Sequence, residues 1–150
     1  MTIEIDKTYL DCFGSLPRRK TTRGVVIHHT CTRNAEATRC VLNAKGYSTH
    51  FEVTQDGHVY QYAPIDRKCI QCGSNNHQTV SVDLTHQKDA PWPEAQIEAA
   101  KELFRWLAEE LNLPLVLYKA MAPGFYFHCA IGDTACPQNP TVDDAFELVC

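Results

Sequence analysis

The sequence predicts a single α/β domain with a central mixed β-sheet flanked by helices. Three observations indicate this class: short β-branched runs alternate with helical patterns, an Asp-Gly pair separates two apolar runs, and one long stretch carries an apolar stripe at helical spacing. The chain has 150 residues, of which 44% are hydrophobic and 21% are charged. This length is enough for one sizeable core but too short for two catalytic domains.

The predicted strands are short, β-branched and separated by turn residues. Asp56 and Gly57 give the strongest turn signal, because this pair is typical of a tight hairpin loop. Alternating apolar and polar side chains mark the runs on both sides of the pair. The strands predicted in this way are Val25–His29, Phe51–Thr54, His58–Tyr62, Thr79–Leu84 and Leu115–Tyr118.

Three segments have helical patterns, and the longest is the best defined. Its apolar residues recur at steps of three and four, which places them on one face of a helix. Pro93 suits the first turn of that helix, and Pro114 prevents its continuation. Gly46 is a plausible C-terminal cap for an earlier helix. The predicted helices are Asn34–Ala44, Glu94–Asn112 and a short one that begins at Thr141–Asp144.

Charge and hydropathy argue against two classes of partner. Fourteen Lys and Arg against eighteen Asp and Glu give a formal net charge of -4. The composition therefore lacks the excess of positive charge that is typical of proteins that bind a nucleic acid backbone. The longest apolar runs fall far short of the roughly 20 residues that cross a bilayer, and we expect no membrane insertion. The first seven residues include Glu4 and Asp6 and lack the basic start and apolar run that are typical of a secretory signal peptide.

Cysteine is unusually frequent, with eight in the chain. Cys69 and Cys72 form a CxxC pair, but no second pair at matching spacing completes a four-cysteine zinc site. A local disulfide or two free thiols is therefore the preferred interpretation of this pair over a metal or redox role.

A second pattern has the spacing of a metal site. His128 and Cys136 are separated by seven residues, most of them small or turn-forming, so one loop can bring both side chains to one ion. Imidazole and thiolate are zinc ligands, and a catalytic zinc site has three protein ligands and one open position. His28 and His29 end the first predicted strand and are the candidates for the third ligand. Strand alternation turns them to opposite faces, and spacing alone does not choose between them.

These residues resemble the zinc-dependent N-acetylmuramoyl-L-alanine amidases. That family includes small phage endolysin-type amidases, anhydro-muropeptide amidases and peptidoglycan recognition proteins. Residues 25–30 are similar to the family's opening strand, 48–61 to its central hairpin, 75–84 to the strand that follows, and 128–137 to its closing loop. The resemblance implies a zinc amidase domain at residues 23–150, preceded by an N-terminal arm at residues 1–22 whose role is unknown.

The resemblance implies that His28, His128 and Cys136 bind Zn2+. A water at the open position would attack the amide between the lactyl group of N-acetylmuramic acid and L-alanine. The implied substrate is bacterial peptidoglycan or a muropeptide. Some family members link cysteines near the first helix, which makes a disulfide between Cys31 and Cys40 an alternative to two free thiols.

A further group must move the proton and stabilise the oxyanion. Asp83 stands where the anhydro-muropeptide type carries a proton-handling Glu, and it is either a catalytic carboxylate or a strand-end cap or ion-pair partner. Thr134 stands where some members carry a Lys, and active recognition-protein amidases also have Thr there. We therefore take Asp83 and Thr134 as the catalytic candidates.

The hairpin supplies the candidates for substrate binding. Thr49 stands where phage-type members carry a Tyr. His50 is a candidate for a substrate hydrogen bond or for support of the site, with a satisfied, half-buried histidine as the alternative. Tyr47 would replace the missing family Tyr only if its loop shifts. We therefore take His50, Thr49 and Tyr47 as the substrate-binding candidates.

The leading interpretation is a monomeric zinc amidase that cuts peptidoglycan. Two alternatives are a non-catalytic peptidoglycan-binding module and a zinc hydrolase that cuts another amide within the stem peptide. Without a signal peptide, we expect synthesis in the cytoplasm and action on the cell wall by a non-classical route. A phage endolysin, an injected effector and a recycling enzyme all fit this setting, and an inhibitor or immunity protein would be a compatible partner.

Overall fold

The computed structural model describes residues 2–87, 90–118, 122–132, 134 and 136. The helix start predicted at residues 141–144 lies outside this set. Within it, no helix is both long enough and apolar enough to cross a bilayer.

A mixed seven-stranded sheet organises the described residues, with strand order β1-β4-β3-β5-β2-β7-β6. Only the β3–β4 pair is antiparallel, and the other neighbours run parallel. The strands are β1 (Asp6–Lys7), β2 (Gly24–His29), β3 (Phe51–Val53), β4 (Val59–Gln61), β5 (Thr79–Leu84), β6 (Leu117–Tyr118) and β7 (Gly124–Phe127). The helices are α1 (Ala35–Lys45), α2 (Glu94–Glu110) and α3 (His128–Ile131), with 3-10 turns at Phe13–Ser15 and Gly73–Gln78. The α/β class with a mixed sheet is confirmed.

The central strands β2 and β5 are covered on both faces. Val25 and Ile27 belong to the main core, which also contains Leu103 and Phe104 of α2. Val26 packs instead with Cys72 and Tyr126 in a separate cluster. Because side chains alternate along a strand, His28 shares the face of Val26, away from α2. Burial on both faces explains why β2 contains a continuous apolar run, Val25 to Ile27.

The hairpin between β3 and β4 turns at the predicted Asp-Gly pair. Gly57 has a φ of 85°, a left-handed conformation that favours glycine. A Cβ atom at this position would lie 2.8 Å from the carbonyl oxygen of Ala95, so α2 also approaches the turn closely. Both constraints favour glycine at position 57.

Local backbone and side-chain features determine where the two long helices begin and end. The Asn34 side chain accepts a hydrogen bond from the Ala37 N–H at 2.9 Å, and Gly46 ends α1 with a φ of 69°. The second helix ends at Glu110, two residues before the predicted end, because Asn112 adopts a left-handed φ of 50°.

Four elements differ from the sequence predictions. The sequence patterns did not indicate β1 or β7, and the predicted strand at residues 115–118 is limited to Leu117–Tyr118. The segment after β7 was predicted to be irregular, yet it begins with the short helix α3. His128 is therefore the first residue of a helix and does not lie in a loop.

The N-terminal arm packs against the rest of the domain. Its strand β1 pairs with β4, and Leu10 is only 2% exposed. Leu16 packs with Ala63 and Cys69. Arg18 forms an ion pair with Asp66. The first 22 residues thus contribute a strand and buried side chains to the fold.

Candidate metal centre

His28, His128 and Cys136 come together at one edge of the sheet. Their ligand atoms all lie within 4.8 Å of one another. The register explains the meeting of the two histidines: Ile27 pairs with Phe127 across the parallel strands β2 and β7, so each histidine is the next residue along its chain. Their ring centroids are 4.5 Å apart.

Backbone contacts hold Cys136 beside the histidines. Its Sγ accepts a hydrogen bond from the His29 N–H at 3.4 Å. Its own N–H donates to the Thr134 hydroxyl at 3.2 Å, and its carbonyl accepts from the Cys129 N–H at 2.7 Å. Thr134 therefore helps to hold the backbone of Cys136 in place.

The donor set fits zinc. Burial lowers the pKa of His28 and of His128 to about 4, so both imidazoles are neutral at pH 7, which is the form that binds a metal. Burial raises the pKa of the Cys136 thiol to about 12. Two neutral imidazoles and a sulfur in one cluster match the ligands of a catalytic zinc site with one open position.

Beside this cluster lies a cavity of about 550 Å³. It opens at the carboxyl ends of β2 and β5, where ligands commonly bind in sheets with parallel strands. Helix α1 forms one wall, and loop residues form the other. The lining includes Thr38, Val41, Leu42, Lys45, Tyr47, Ser48, Thr49, Ile70, Gln71 and Asp83, together with His28 and His128.

Asp83 lies across the strand pair from His28, in register with it. Its side chain is buried, and burial raises its pKa from 3.8 to about 7 although the hydrogen bond from Thr49 acts in the opposite direction. A carboxyl group with a pKa near 7 can both accept and return a proton at neutral pH. No ion pair involves Asp83 within the described part of the chain.

Two of the substrate-binding candidates, Thr49 and Tyr47, line the cavity. The Thr49 hydroxyl is buried on the cavity wall, 3.1 Å from Asp83 Oδ1 and 2.8 Å from Ser81 Oγ. Tyr47 is 52% exposed at the rim of the same cavity.

His50 does not reach the cavity. Its side chain is completely buried, its Nδ1 accepts the Ser81 N–H at 3.0 Å, and its Nε2 lies 2.7 Å from the Arg67 carbonyl. Both ring nitrogens therefore have protein partners. Of the two roles expected for His50, this placement favours support of the site over a substrate hydrogen bond, because Thr49 and not His50 faces Asp83.

Comparison with known proteins identifies the family. A family model for N-acetylmuramoyl-L-alanine amidase matches residues 18–139. The chain belongs to this family. Membership confirms the expected class of enzyme, a hydrolase of peptidoglycan. A search of curated protein sequences finds no significant match.

Solved structures, among them an amidase and an endolysin, share the fold of this amidase at low sequence identity. LysC, an N-acetylmuramoyl-L-alanine amidase from Clostridium intestinale URNW, has a TM-score of 0.80 and 18% identity over 99% of this chain and 98% of that one. A mutant endolysin from Bacillus subtilis has a TM-score of 0.73 and 19% identity, covering 99% of both chains. The catalytic domain of XlyA has a TM-score of 0.74 and 20% identity over 98% of this chain and 99% of that one.

The sequence patterns did not indicate one residue that contacts the candidate ligand His28. Gln71 Oε1 lies 2.7 Å from His28 Nε2. Glutamine is common on protein surfaces, and nothing in the local pattern marks this one as a partner of a residue 43 positions away. The only local signal is its place inside the CxxC pair.

The cysteines singled out in the sequence are free. Cys69 and Cys72 are buried thiols in two different apolar clusters, and burial raises the pKa of both. Neither is therefore a ready nucleophile, in agreement with the structural interpretation of the pair. Cys31 and Cys40 are exposed and are not joined by a disulfide.

Proposed function

We propose that this amidase hydrolyses the amide between N-acetylmuramic acid and L-alanine with a zinc ion held by His28, His128 and Cys136. The observation that carries the proposal is the convergence of these three ligand atoms within 4.8 Å at the end of an open cavity. Bound zinc supplies Lewis acidity, since it polarises a carbonyl and lowers the pKa of a coordinated water from 15.7 to about 7.

Asp83 is proposed to move the proton. It lines the cavity beside His28, and its pKa of about 7 matches a group that takes a proton from water and passes it to the leaving amine. Thr49 supports this role by donating a hydrogen bond to Asp83 Oδ1, which orients the carboxylate without neutralising it.

Thr134 is proposed to act on the last ligand. Its hydroxyl accepts a hydrogen bond from the backbone N–H of Cys136 at 3.2 Å, and this contact supports a role in holding Cys136 in place. Loss of the hydroxyl should therefore weaken metal binding first, and any effect on turnover should follow from that.

The substrate is proposed to lie along the wall formed by α1. Val41, Tyr47 and Ile70 are exposed apolar side chains beside the cavity, and they suit the methyl groups and rings of a muropeptide. Lys45 lines the same wall and supplies a positive charge for a carboxylate of the stem peptide. Tyr47 and Lys45 would thus orient the peptide on one side of the metal.

The proposal extends to setting and assembly. The substrate places the action of this amidase at the cell wall, and we propose that it works there as a monomer, with an inhibitor or immunity protein as a compatible partner. The three candidate ligands lie beside Asp83, whose pKa is about 7. This combination favours a catalytic role over that of a non-catalytic peptidoglycan-binding module.

Metal content and turnover test the ligand set together. The purified protein is stripped with a chelator, titrated with zinc and assayed on a muropeptide that contains the bond in question. We expect one zinc per chain and activity that returns with zinc. His28→Ala should lose both, whereas the matched variant His29→Ala should keep the metal, because His29 lies outside the ligand cluster. Full zinc binding by His28→Ala would overturn the assignment.

A further inference from the structure

The loop between Cys69 and Cys72 places Gln71 in contact with the candidate metal ligand His28. The loop is anchored on both sides: Cys69 is buried with Leu16 and Ala63, and Cys72 is buried in another cluster with Val26. Between these anchors, Gln71 Oε1 reaches His28 Nε2 at 2.7 Å.

The backbone of the loop is fixed as well. The Asn76 side-chain oxygen accepts two hydrogen bonds, from the Gln71 N–H at 3.0 Å and from the Cys72 N–H at 2.8 Å. Asn76 is buried in the 3-10 turn that follows the loop. Gln71 therefore approaches His28 from a backbone that is held in place.

A chain of hydrogen bonds determines which end of the Gln71 amide faces His28. The Thr79 hydroxyl donates its one proton to the Asn75 carbonyl at 2.8 Å, because a carbonyl oxygen can only accept. Toward Gln71 the Thr79 oxygen can then only accept, and it receives the Gln71 Nε2–H at 2.8 Å. The amide nitrogen of Gln71 thus faces Thr79, and its carbonyl oxygen faces His28.

The same logic assigns the proton on His28. The Gln71 carbonyl oxygen accepts, so His28 Nε2 must be the donor. A neutral imidazole carries one N–H, and a proton on Nε2 leaves the lone pair on Nδ1. Only a nitrogen with a free lone pair can bind a metal ion.

We propose that Gln71 is a positioning residue that holds His28 in its Nε2–H tautomer and so assigns Nδ1 as the nitrogen that binds the metal. The choice of Nδ1 as the metal-binding nitrogen rests on the proposed zinc site. The tautomer of His28 does not, because it can be measured in the metal-free chain. The proposal also gives the CxxC pair a role: the two buried thiols anchor the residue that orients a ligand.

Two substitutions at Gln71 separate this role from simple packing. Gln71→Glu keeps an acceptor at the same reach and should keep the tautomer. Gln71→Met keeps the length of the side chain but removes the acceptor, so the proton on His28 is no longer tied to Nε2. Gln55→Met is the matched control, because Gln55 lies in the hairpin turn, away from His28.

The first readout is the histidine tautomer in metal-free protein. Long-range ¹H–¹⁵N correlation spectra distinguish the two neutral tautomers, and the His28 signals are identified by their loss in His28→Ala. We expect the Nε2–H pattern in the wild type, in Gln71→Glu and in Gln55→Met, and a mixture or the Nδ1–H pattern in Gln71→Met. An Nδ1–H pattern in the wild type would overturn the proposal.

The second readout is zinc affinity, measured by competition with a chelator. Loss of a hydrogen bond to a ligating histidine typically weakens metal binding about 10- to 100-fold, and we expect a loss in this range for Gln71→Met. Gln71→Glu and Gln55→Met should stay close to the wild type. Equal affinity of Gln71→Met and the wild type, or an equal loss in Gln71→Glu, would contradict the positioning role.

The outcomes distinguish this proposal from the proposed function. A wild-type protein that binds no zinc refutes the metal site, whatever the tautomer spectra show. A wild-type protein that binds zinc while Gln71→Met has the same tautomer and the same affinity refutes the role of Gln71 alone. If Gln71→Met fails to fold, the wild-type tautomer and the affinity of Gln71→Glu still decide the question.

Discussion

Replacement of Asp83 by asparagine should stabilise the metal-free amidase at neutral pH and abolish its turnover when zinc is restored. The asparagine side chain would keep an oxygen that accepts the hydrogen bond from Thr49, whose hydroxyl is 3.1 Å from Asp83 Oδ1 in the native chain. It would not carry the charge that burial makes unfavourable. The substitution therefore separates the cost of the carboxylate to the fold from its use in catalysis.

The size of the effect follows from the pKa of Asp83. Burial raises this pKa from 3.8 to about 7. Each pKa unit corresponds to about 1.36 kcal/mol, so the buried carboxylate destabilises the fold by at most about 4 kcal/mol at neutral pH. This is a large part of the stability of an ordinary domain, which is about 5–15 kcal/mol.

The sign of the pH dependence is fixed by the direction of the shift. In the unfolded chain Asp83 loses its proton near its ordinary pKa of 3.8, whereas in the folded chain it keeps the proton until about pH 7. Between these values the folded state binds more protons, so this group's contribution to stability falls as pH rises. Asparagine does not titrate, and the advantage of the variant should grow from almost nothing near pH 4 to its full value above pH 7.

Urea unfolding of chelated protein measures this advantage at several pH values. Asp56→Asn is the control of opposite sign, because the Thr54 hydroxyl and the His58 N–H lower the pKa of Asp56. That control should be slightly less stable than the wild type above about pH 4, and the difference should shrink as the pH falls below the ordinary Asp pKa of 3.8. The reasoning about Asp83 is refuted if Asp83→Asn is no more stable than the wild type near neutral pH, or if its advantage does not increase with pH.

Three further substitutions test other parts of the account. Leu10→Ala removes a side chain that is 2% exposed and should cost about 2–5 kcal/mol in urea unfolding, whereas a loss below about 1 kcal/mol would show that the N-terminal arm adds little to the fold. Gly57→Ala should also destabilise the protein, since its φ is 85° and the new Cβ would lie 2.8 Å from the Ala95 carbonyl; an unchanged melting temperature would contradict this. Lys45→Met should raise KM with little change in kcat, and an unchanged KM would remove Lys45 from the substrate wall.

The sequence predicted that His128 and Cys136 would meet a histidine at the end of a strand, but spacing alone did not choose between His28 and His29. The strand around His28 and His29 is apolar on both faces, so its pattern contains no alternation from which to read an orientation. The tertiary structure groups His28 with His128 and Cys136: Val25 and Ile27 face the core with α2, whereas Val26, on the face of His28, packs with Cys72. The resemblance to the amidase family had indicated His28 for the same position.

The remaining differences arise from contacts that are distant in sequence. Strand β1 has two residues and exists only as a partner of β4. Gln71 meets His28 across 43 positions, and His50 is buried by contacts with Ser81 and Arg67. Local patterns report periodicity and turns, but they do not report which polar side chains find each other after folding.

Mass spectrometry of the soluble products from intact peptidoglycan tests the central claim most directly. Zinc-loaded protein is compared with a chelated sample and with Cys136→Ser, which replaces a thiolate ligand by a hydroxyl. The account predicts free stem peptides that begin with L-alanine, and their absence from both controls. Products cut within the stem peptide, or no products from folded and zinc-loaded protein, would contradict it.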